Sequence, residues 1–273
     1  MPVSFTEAVP AHLLPVKSVI ICSTGRSGST LLCKTLSSLN CIGKAEEFFI
    51  PQELARNSVH ALADELYQYL PKVYQTGKTP NQVFGVKLHW DHMTNLAKIA
   101  RTDSTLASKS NLELLTLFFP NPCFIFIRRN NLAKQAISME IARQTGVYTV
   151  LKGSSVSNKK NKLVFKPLNI YRYVQGLKRR NENWVSFFNA NNVPFFEVVY
   201  EDLVREFPDI IQRILSFADI ELPEEGLEIT QATKKQGNDV NERWLRYYQW
   251  IPETALAYYS DLRSFVRQRL MKR

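Results

Sequence analysis

The segment Ser23-Thr24-Gly25-Arg26-Ser27-Gly28-Ser29-Thr30 has the residue types of an anion cradle, with hydroxyls and glycines around a single arginine. It follows VKSVIIC, a β-branched run at residues 16–22, and precedes LLCKTLSSL, whose apolar spacing suits a helix. A small-residue loop that opens a helix presents backbone N–H groups and the positive end of the helix dipole to an anion. It is not a Walker A loop: G-x-x-x-x-G-K-S/T needs a lysine before the last hydroxyl, and Gly25-Arg-Ser-Gly-Ser-Thr lacks it. The cation is Arg26, early in the loop. The competing reading is an ordinary turn in which Ser27 and Ser29 cap the helix.

A second anion signal lies where CFIFI, residues 123–127, ends in Arg128-Arg129. Metal-dependent nucleotidases commonly place an aspartate for magnesium at a strand end, and two arginines there suit a bare phosphate instead. Ser138, about two and a half turns into the following helical segment, adds a hydroxyl from the same side. Surface ion pairs for Arg128 and Arg129 are the alternative. At the end of VFGVKL, residues 83–88, stand Lys87 and then His89-Trp-Asp-His92, weak grounds for a metal site with two imidazoles only.

These residues need elements to hold them. VKSVIIC, VFGVKL, CFIFI and PFFEVV (194–199) read as strands, and CFIFI as a central one covered on both faces. Helical patterns are expected over Val59 to Leu70 with Pro71 closing it, Asn111 to Phe118, Asn130 to Thr145, Tyr171 to Asn189, Pro208 to Ala218 and Pro252 to Leu270. In the expected helix from Asn130 to Thr145, Ala133, Ala136, Ile137, Ile141 and Ala142 are available to face a sheet. Alternation of this kind predicts an α/β sandwich around a mainly parallel sheet, with chemistry just after Cys22, Leu88, Ile127 and Val199.

The chain has 273 residues, 45% apolar and 22% charged, which suits a globular protein of one large or two small domains. The longest apolar stretch, Phe118 to Ile127, is interrupted by Pro120, Asn121 and Pro122 and is short of the ~20 residues of a membrane span. Met1-Pro-Val-Ser-Phe-Thr-Glu has no basic region before an apolar core, so a cytoplasmic protein is expected. Cysteines 22, 33, 41 and 123 have no C-x-x-C spacing and read as buried thiols. A net charge of +10 favours an anionic partner, although Arg263, Arg267, Arg269, Lys272 and Arg273 and the lysines at 159, 160, 162 and 166 read as solvated charge.

Arg26-Ser-Gly-Ser-Thr-Leu-Leu, Glu47-Phe48-Phe49, Gly85-Val-Lys-Leu-His-Trp90, Arg129 through Gln135-Ala-Ile-Ser138 into Gln144-Thr-Gly-Val147, and Asn241-Glu-Arg-Trp244 with Tyr247 together resemble the bacterial trehalose-type sulfotransferases. The match runs in order from about residue 18 to 248. The resemblance implies a P-loop-like, three-layer α/β sandwich, one sulfotransferase domain over 1–273 with a polar loop insertion at about 153–162. It implies transfer of the sulfuryl group of 3′-phosphoadenosine 5′-phosphosulfate to a hydroxyl of a carbohydrate or glycolipid acceptor, without a metal or a covalent enzyme intermediate, and it allows a homodimer.

By position, Arg26, Ser27, Gly28, Ser29, Thr30 and Leu31 would hold the 5′-phosphosulfate, and Arg129 and Ser138 the 3′-phosphate. Glu47 matches the family's proposed general base, beside an apolar wall that raises its expected pKa. Lys87 faces the same crevice, and Lys87-Leu88-His89 resembles the K-x-H of eukaryotic cytosolic sulfotransferases, which makes His89 a rival base. Lys235, within Lys234-Lys235-Gln236-Gly237-Asn238, is expected in a basic loop over the nucleotide. Tyr200-Glu201-Asp202-Leu203 is common in sulfotransferases, with Asp202 read as a helix cap. Thr24-Gly25 stand where trehalose-type enzymes carry a serine and a substrate-contacting glutamine, so that contact is lost and the acceptor is left open.

Two other functions remain in play at this level. A P-loop small-molecule kinase lacks its Walker lysine and strand-end aspartate here. A basic nucleic-acid-binding module has the charge but no zinc-finger spacing, RNP motif or basic zipper, so no nucleic-acid partner is expected.

Overall fold

In the computed structural model, which describes residues 5–50, 63–148, 163–222 and 239–270, the apolar runs form four strands: β1 (Lys17–Ser23), β2 (Val83–His89), β3 (Pro122–Arg128) and β4 (Phe195–Val199). They are all parallel, in the order β2-β1-β3-β4. The helices, in chain order, are α1 (Phe5–Ala8), α2 (Ser29–Ser38), α3 (Ala63–Gly77), α4 (Trp90–Ala100), α5 (Asn111–Phe118), α6 (Leu132–Thr145), α7 (Pro167–Ala190), α8 (Tyr200–Arg205), α9 (Phe207–Phe217), α10 (Asp239–Gln249) and α11 (Glu253–Leu270).

Side chains alternate across a strand, and here both faces are apolar. Ile20, Cys22, Val86, Leu88, Phe124 and Phe126 enter one core with Leu66 and Tyr74 of α3 and Trp184 and Phe188 of α7. Val19, Ile21, Ile125, Ile127 and Val198 enter another with Leu32 and Leu36 of α2 and Ile211 and Ile214 of α9. Two covered faces explain why β1 and β3 read as continuous apolar runs. The fold is therefore a P-loop-like α/β sandwich with helices on both sides of a parallel sheet.

Three expectations need correction. Pro71 does not close a helix: α3 continues to Gly77 with Pro71 inside it. An interior proline costs about 3 kcal/mol, but the extension buries Val73 and Tyr74, each worth roughly 1.5–3 kcal/mol, and Tyr74 donates to the Phe118 carbonyl at 2.6 Å. Residues 59–62 of that expected helix lie outside the described residues. Ala136 and Ile137 of α6 are buried against Ile170 and Leu177 of α7 and Trp244 and Leu245 of α10, with Ala133 and Ile141 beside them, so this apolar face meets helices and not the sheet. Asp202 caps nothing: it is the third residue of α8 and pairs with Arg205 at 2.6 Å. Helices α1, α4, α8 and α10 have no counterpart among the expected helices.

β2 is an edge strand, and residues 43–47 lie along it. Glu46 bridges to Val86, and the Lys87 amide donates to the Glu46 carbonyl at 2.9 Å. This close approach depends on Gly85, where a Cβ would stand 2.7 Å from the Ala45 nitrogen and 2.9 Å from the Gly43 carbonyl carbon.

Candidate active site

The sheet order places β2 on one side of β1 and β3 on the other, so the chain reverses direction of travel at the carboxyl ends of β1 and β3. Parallel α/β sheets open a ligand crevice at such a point. All four sequence-expected positions, after Cys22, Leu88, Ile127 and Val199, deliver polar side chains to that end of the sheet.

On the β1–β3 side lies the small-residue loop. Gly28 caps α2 with φ 96°, and a Cβ there would stand 2.8 Å from Cε2 of Tyr200 and nearer still to Cδ2. A glycine cap supplies no side-chain acceptor, so the first-turn amides of α2 have no intrahelical partner. Arg26 holds φ 63°, in the left-handed region, and its Nε donates to Ser138 Oγ at 3.0 Å while its Nη1 reaches the Tyr148 carbonyl. Arg129 Nη1 donates to the Arg26 carbonyl at 3.3 Å, and its guanidinium carbon lies 4.1 Å from the centre of the Tyr200 ring. Burial, and for Arg26 the nearby Arg129 as well, pushes both guanidinium pKa values down, yet both stay cationic.

The two anion signals of the sequence are thus one continuous surface from Ser27 to Ser138. Arg128 takes the alternative reading, turned away in an ion pair with Glu197 at 2.7 Å. Polar atoms in this surface are left without partners among the described residues: Ser27 Oγ, Arg129 Nε and Gln135 Oε1 are buried and unbonded. Buried polar groups are ordinarily satisfied, so the Ser27 hydroxyl and the Arg129 Nε–H are donors suited to an acceptor-rich ligand, while Gln135 Oε1 calls for a donor. Two residues that support this surface stood in the quoted motifs without an assigned role. Gln135, fully buried, donates from Nε2 to Thr24 Oγ1 at 3.0 Å and to the Gly25 carbonyl at 2.7 Å, and Tyr200 is wedged between Gly28 and Arg129.

On the β1–β2 side, Lys87 and His89 share one face of β2 by strand alternation. Lys87 is buried, and its Nζ lies 2.6 Å from Glu47 Oε1 and 3.5 Å from Thr30 Oγ1 in the first turn of α2. His89 Nε2 is 3.6 Å from the same Glu47 oxygen. Its Nδ1 meets Ser23 Oγ at 2.9 Å, since Ser23 and His89 are register partners on neighbouring strands. His92 is the third residue of α4, its ring centre 4.8 Å from that of His89. The structure brings Glu47, Lys87, His89 and the Arg26–Leu31 loop together; Lys235 lies outside the described residues.

The expected rise in the Glu47 pKa is not found. Burial does push the carboxyl up, but Lys87, His89 and His92 outweigh burial and hold it below the ordinary value. For Lys87, burial disfavours the ammonium, while Cys33 and Glu47 raise its pKa overall. Burial pushes His89 down to about 4 against the opposing pull of Glu47, and burial lowers His92 as well. The site at neutral pH is therefore an ionised carboxylate against an ammonium, with neutral imidazoles beside them.

That arrangement has a stability consequence. An unfolded histidine takes up its proton near pH ~6.5, whereas native His89 does so only near about 4. The stabilising contribution is fully present above pH ~6.5 and is lost as pH falls toward the native value. The depressed Glu47 pKa adds loss of the same sign at lower pH. The melting temperature is expected to fall between pH 7 and 5, with His89 accounting for up to about 2 kcal/mol at pH 5, and His89→Gln should flatten the decline. A pH dependence of melting that His89→Gln leaves unaltered would contradict this assignment.

Comparison with known proteins places the chain in a family. Two trehalose 2-sulfotransferases are similar to this chain: one from Mycobacterium tuberculosis is 23% identical over 259 residues, covering 86% of this chain and 95% of that protein. The other, from Mycolicibacterium smegmatis, is 24% identical over 258 residues, covering 84% and 93%. Among solved structures, the sulfotransferase domain from the Synechococcus PCC 7002 olefin synthase aligns over 92% of this chain and 96% of its own, at 15% identity and a TM-score of 0.40. A sequence model of Stf0 sulphotransferases matches residues 18–250, a span that takes in the described strands except the first residue of β1, and the chain belongs to the Stf0 sulphotransferase family.

Proposed function

We propose that this enzyme passes the sulfuryl group of 3′-phosphoadenosine 5′-phosphosulfate to a hydroxyl of a carbohydrate or glycolipid acceptor, with Glu47 as the general base. The observation that carries this reading is the bridging position of Lys87, 2.6 Å from the Glu47 carboxylate and 3.5 Å from Thr30 in the anion loop. One cation thereby spans the place where a proton is removed and the place where leaving-group charge collects. The names of the mycobacterial relatives support a sugar acceptor.

The donor supplies an activated sulfur–oxygen bond, and the chain supplies position and charge. First-turn amides of α2, with Ser27, Ser29 and Thr30, hold the phosphosulfate end; Arg129 and Ser138 hold the 3′-phosphate. The acceptor hydroxyl gives its proton to Glu47 as its oxygen forms the new bond to sulfur. The electron pair of the breaking bond stays on the phosphate oxygen, where Lys87 and Arg26 stabilise it. These fixed cations supply the charge stabilisation without a metal. The unsatisfied Ser27 Oγ and Arg129 Nε fit such a ligand.

Calorimetry with adenosine nucleotides tests the donor. Arg129→Ala should weaken 3′,5′-bisphosphorylated adenosine by the ~1.5–3 kcal/mol of a charged hydrogen bond and leave the 5′-monophosphate little affected. Equal losses for the two nucleotides would remove Arg129 from the 3′-phosphate. Disaccharide and glycolipid acceptors screened with labelled sulfuryl donor then identify the acceptor class.

A further inference from the structure

Glu47 offers two oxygens, and the structure treats them unequally. Oε1 is the oxygen nearest to both Lys87 Nζ and His89 Nε2. What His89 can do at Oε1 depends on which of its nitrogens carries the proton. The Ser23 contact serves either tautomer, as donor or as acceptor, and the Glu47 carboxylate decides between them. The Ser23 side chain is fully buried, and His89 Nδ1, at 2.9 Å, is the partner of its hydroxyl. The Ser23 backbone is clamped from the opposite face of the sheet, where Trp184 Nε1 donates to its carbonyl at 3.2 Å.

An ionised carboxylate only accepts, so a bare lone pair on Nε2 pointing at Oε1 would be repelled. The favourable state has the proton on Nε2, and Nδ1 is then an acceptor for the Ser23 hydroxyl. In that state both ring nitrogens are engaged, and neither is open to take a proton from an acceptor. At 3.6 Å the Nε2 to Oε1 contact is electrostatic and not yet a formed hydrogen bond. The charged and titratable groups facing the ring are Glu47, Lys87 on its own strand and His92 on α4; Cys33 on α2 adjoins Lys87.

We infer that Ser23 and His89 are positioning residues: the Ser23 hydroxyl donates to His89 Nδ1, His89 turns its Nε2 proton to Glu47 Oε1, and Oε2 is thereby the atom that receives the acceptor's proton. This rests on the sulfotransferase reading with Glu47 as base, and it removes His89 from the role of rival base.

The test has a spectroscopic arm that needs no substrate. In two-bond nitrogen–proton correlation spectra of protein labelled at its four histidines, with the His89 signal assigned through His89→Gln, wild type should show protonated Nε2 and lone-pair Nδ1 at pH 7. Ser23→Ala should blur this into exchange between tautomers and lower turnover about tenfold, as expected for one lost hydrogen bond. Ser23→Thr, which returns the hydroxyl, should restore both. His89→Gln keeps an N–H donor without a basic nitrogen and should lose no more than about tenfold in turnover. A protonated Nδ1 in wild type, or a His89→Gln loss as deep as that of Glu47→Gln, overturns the inference. Failure of the sulfotransferase reading is distinguishable, because it would appear as absent binding of bisphosphorylated adenosine whatever the tautomer.

Discussion

Glu47→Gln is expected to lower turnover at saturating donor by at least the ~10²-fold typical of general-base loss. The substitution keeps the shape of the side chain and one carbonyl oxygen for Lys87, and removes the basicity. His89→Asn should cost much less, with its effect in the acceptor KM, if His89 acts on the carboxylate, as proposed above, and not on the proton in flight. Since Lys87 is buried, loss of its partner charge also destabilises the fold, so turnover must be compared at a temperature where melting curves show both variants folded. The reverse ranking would transfer the base to His89 and align this enzyme with histidine-based sulfotransferases. Because the Glu47 pKa is depressed, the acid limb of activity should lie at low pH, where an apolar wall acting alone would have moved it toward neutrality.

Gly28→Ala is the second change of large expected effect, and it acts through space and backbone together. The left-handed φ of 96° strains any side-chain-bearing residue, at roughly 1–2 kcal/mol, and the methyl would collide with the Tyr200 ring, at roughly 1–3 kcal/mol for overpacking. The ring can escape only by moving against Arg129, which lies over it. We therefore expect a loss of about 3 kcal/mol in stability together with loss of bisphosphorylated adenosine binding. Gly146→Ala is the control: it shares a positive φ of 72° but meets nothing within 4 Å, and should retain nucleotide binding. Equal nucleotide affinity in the two variants would show that Tyr200 does not shape the anion loop.

Features that depend on near neighbours were legible in the sequence, and features set by distant contacts were not. The strands β1 and β3 and the Gly28 loop announce themselves through local composition, and the strand ends locate the crevice. The helical period of α6 identifies an apolar face at Ala136 and Ile137 but cannot say that α7 and α10 cover it. The pKa of Glu47 is set against its local apolar surroundings by Lys87, forty positions away. Gln135 is a polar residue at a buried position, and only the approach of Thr24 and Gly25 reveals why it is tolerated there. Arg128 and Arg129 are adjacent and chemically identical, so nothing short of the backbone direction at the end of β3 could separate an ion-paired residue from a crevice residue.

The strip at residues 43–47 that carries Glu47 also covers the open side of β2. An uncovered edge strand invites pairing with another chain, and this short strip occupies part of that edge while it presents the carboxylate. Variation that loosens the strip is expected to expose that edge as well as to move Glu47. Libraries aimed at new acceptors will therefore recover more dispersed, testable clones from the end of β2 and the start of α4 than from the strip beside them.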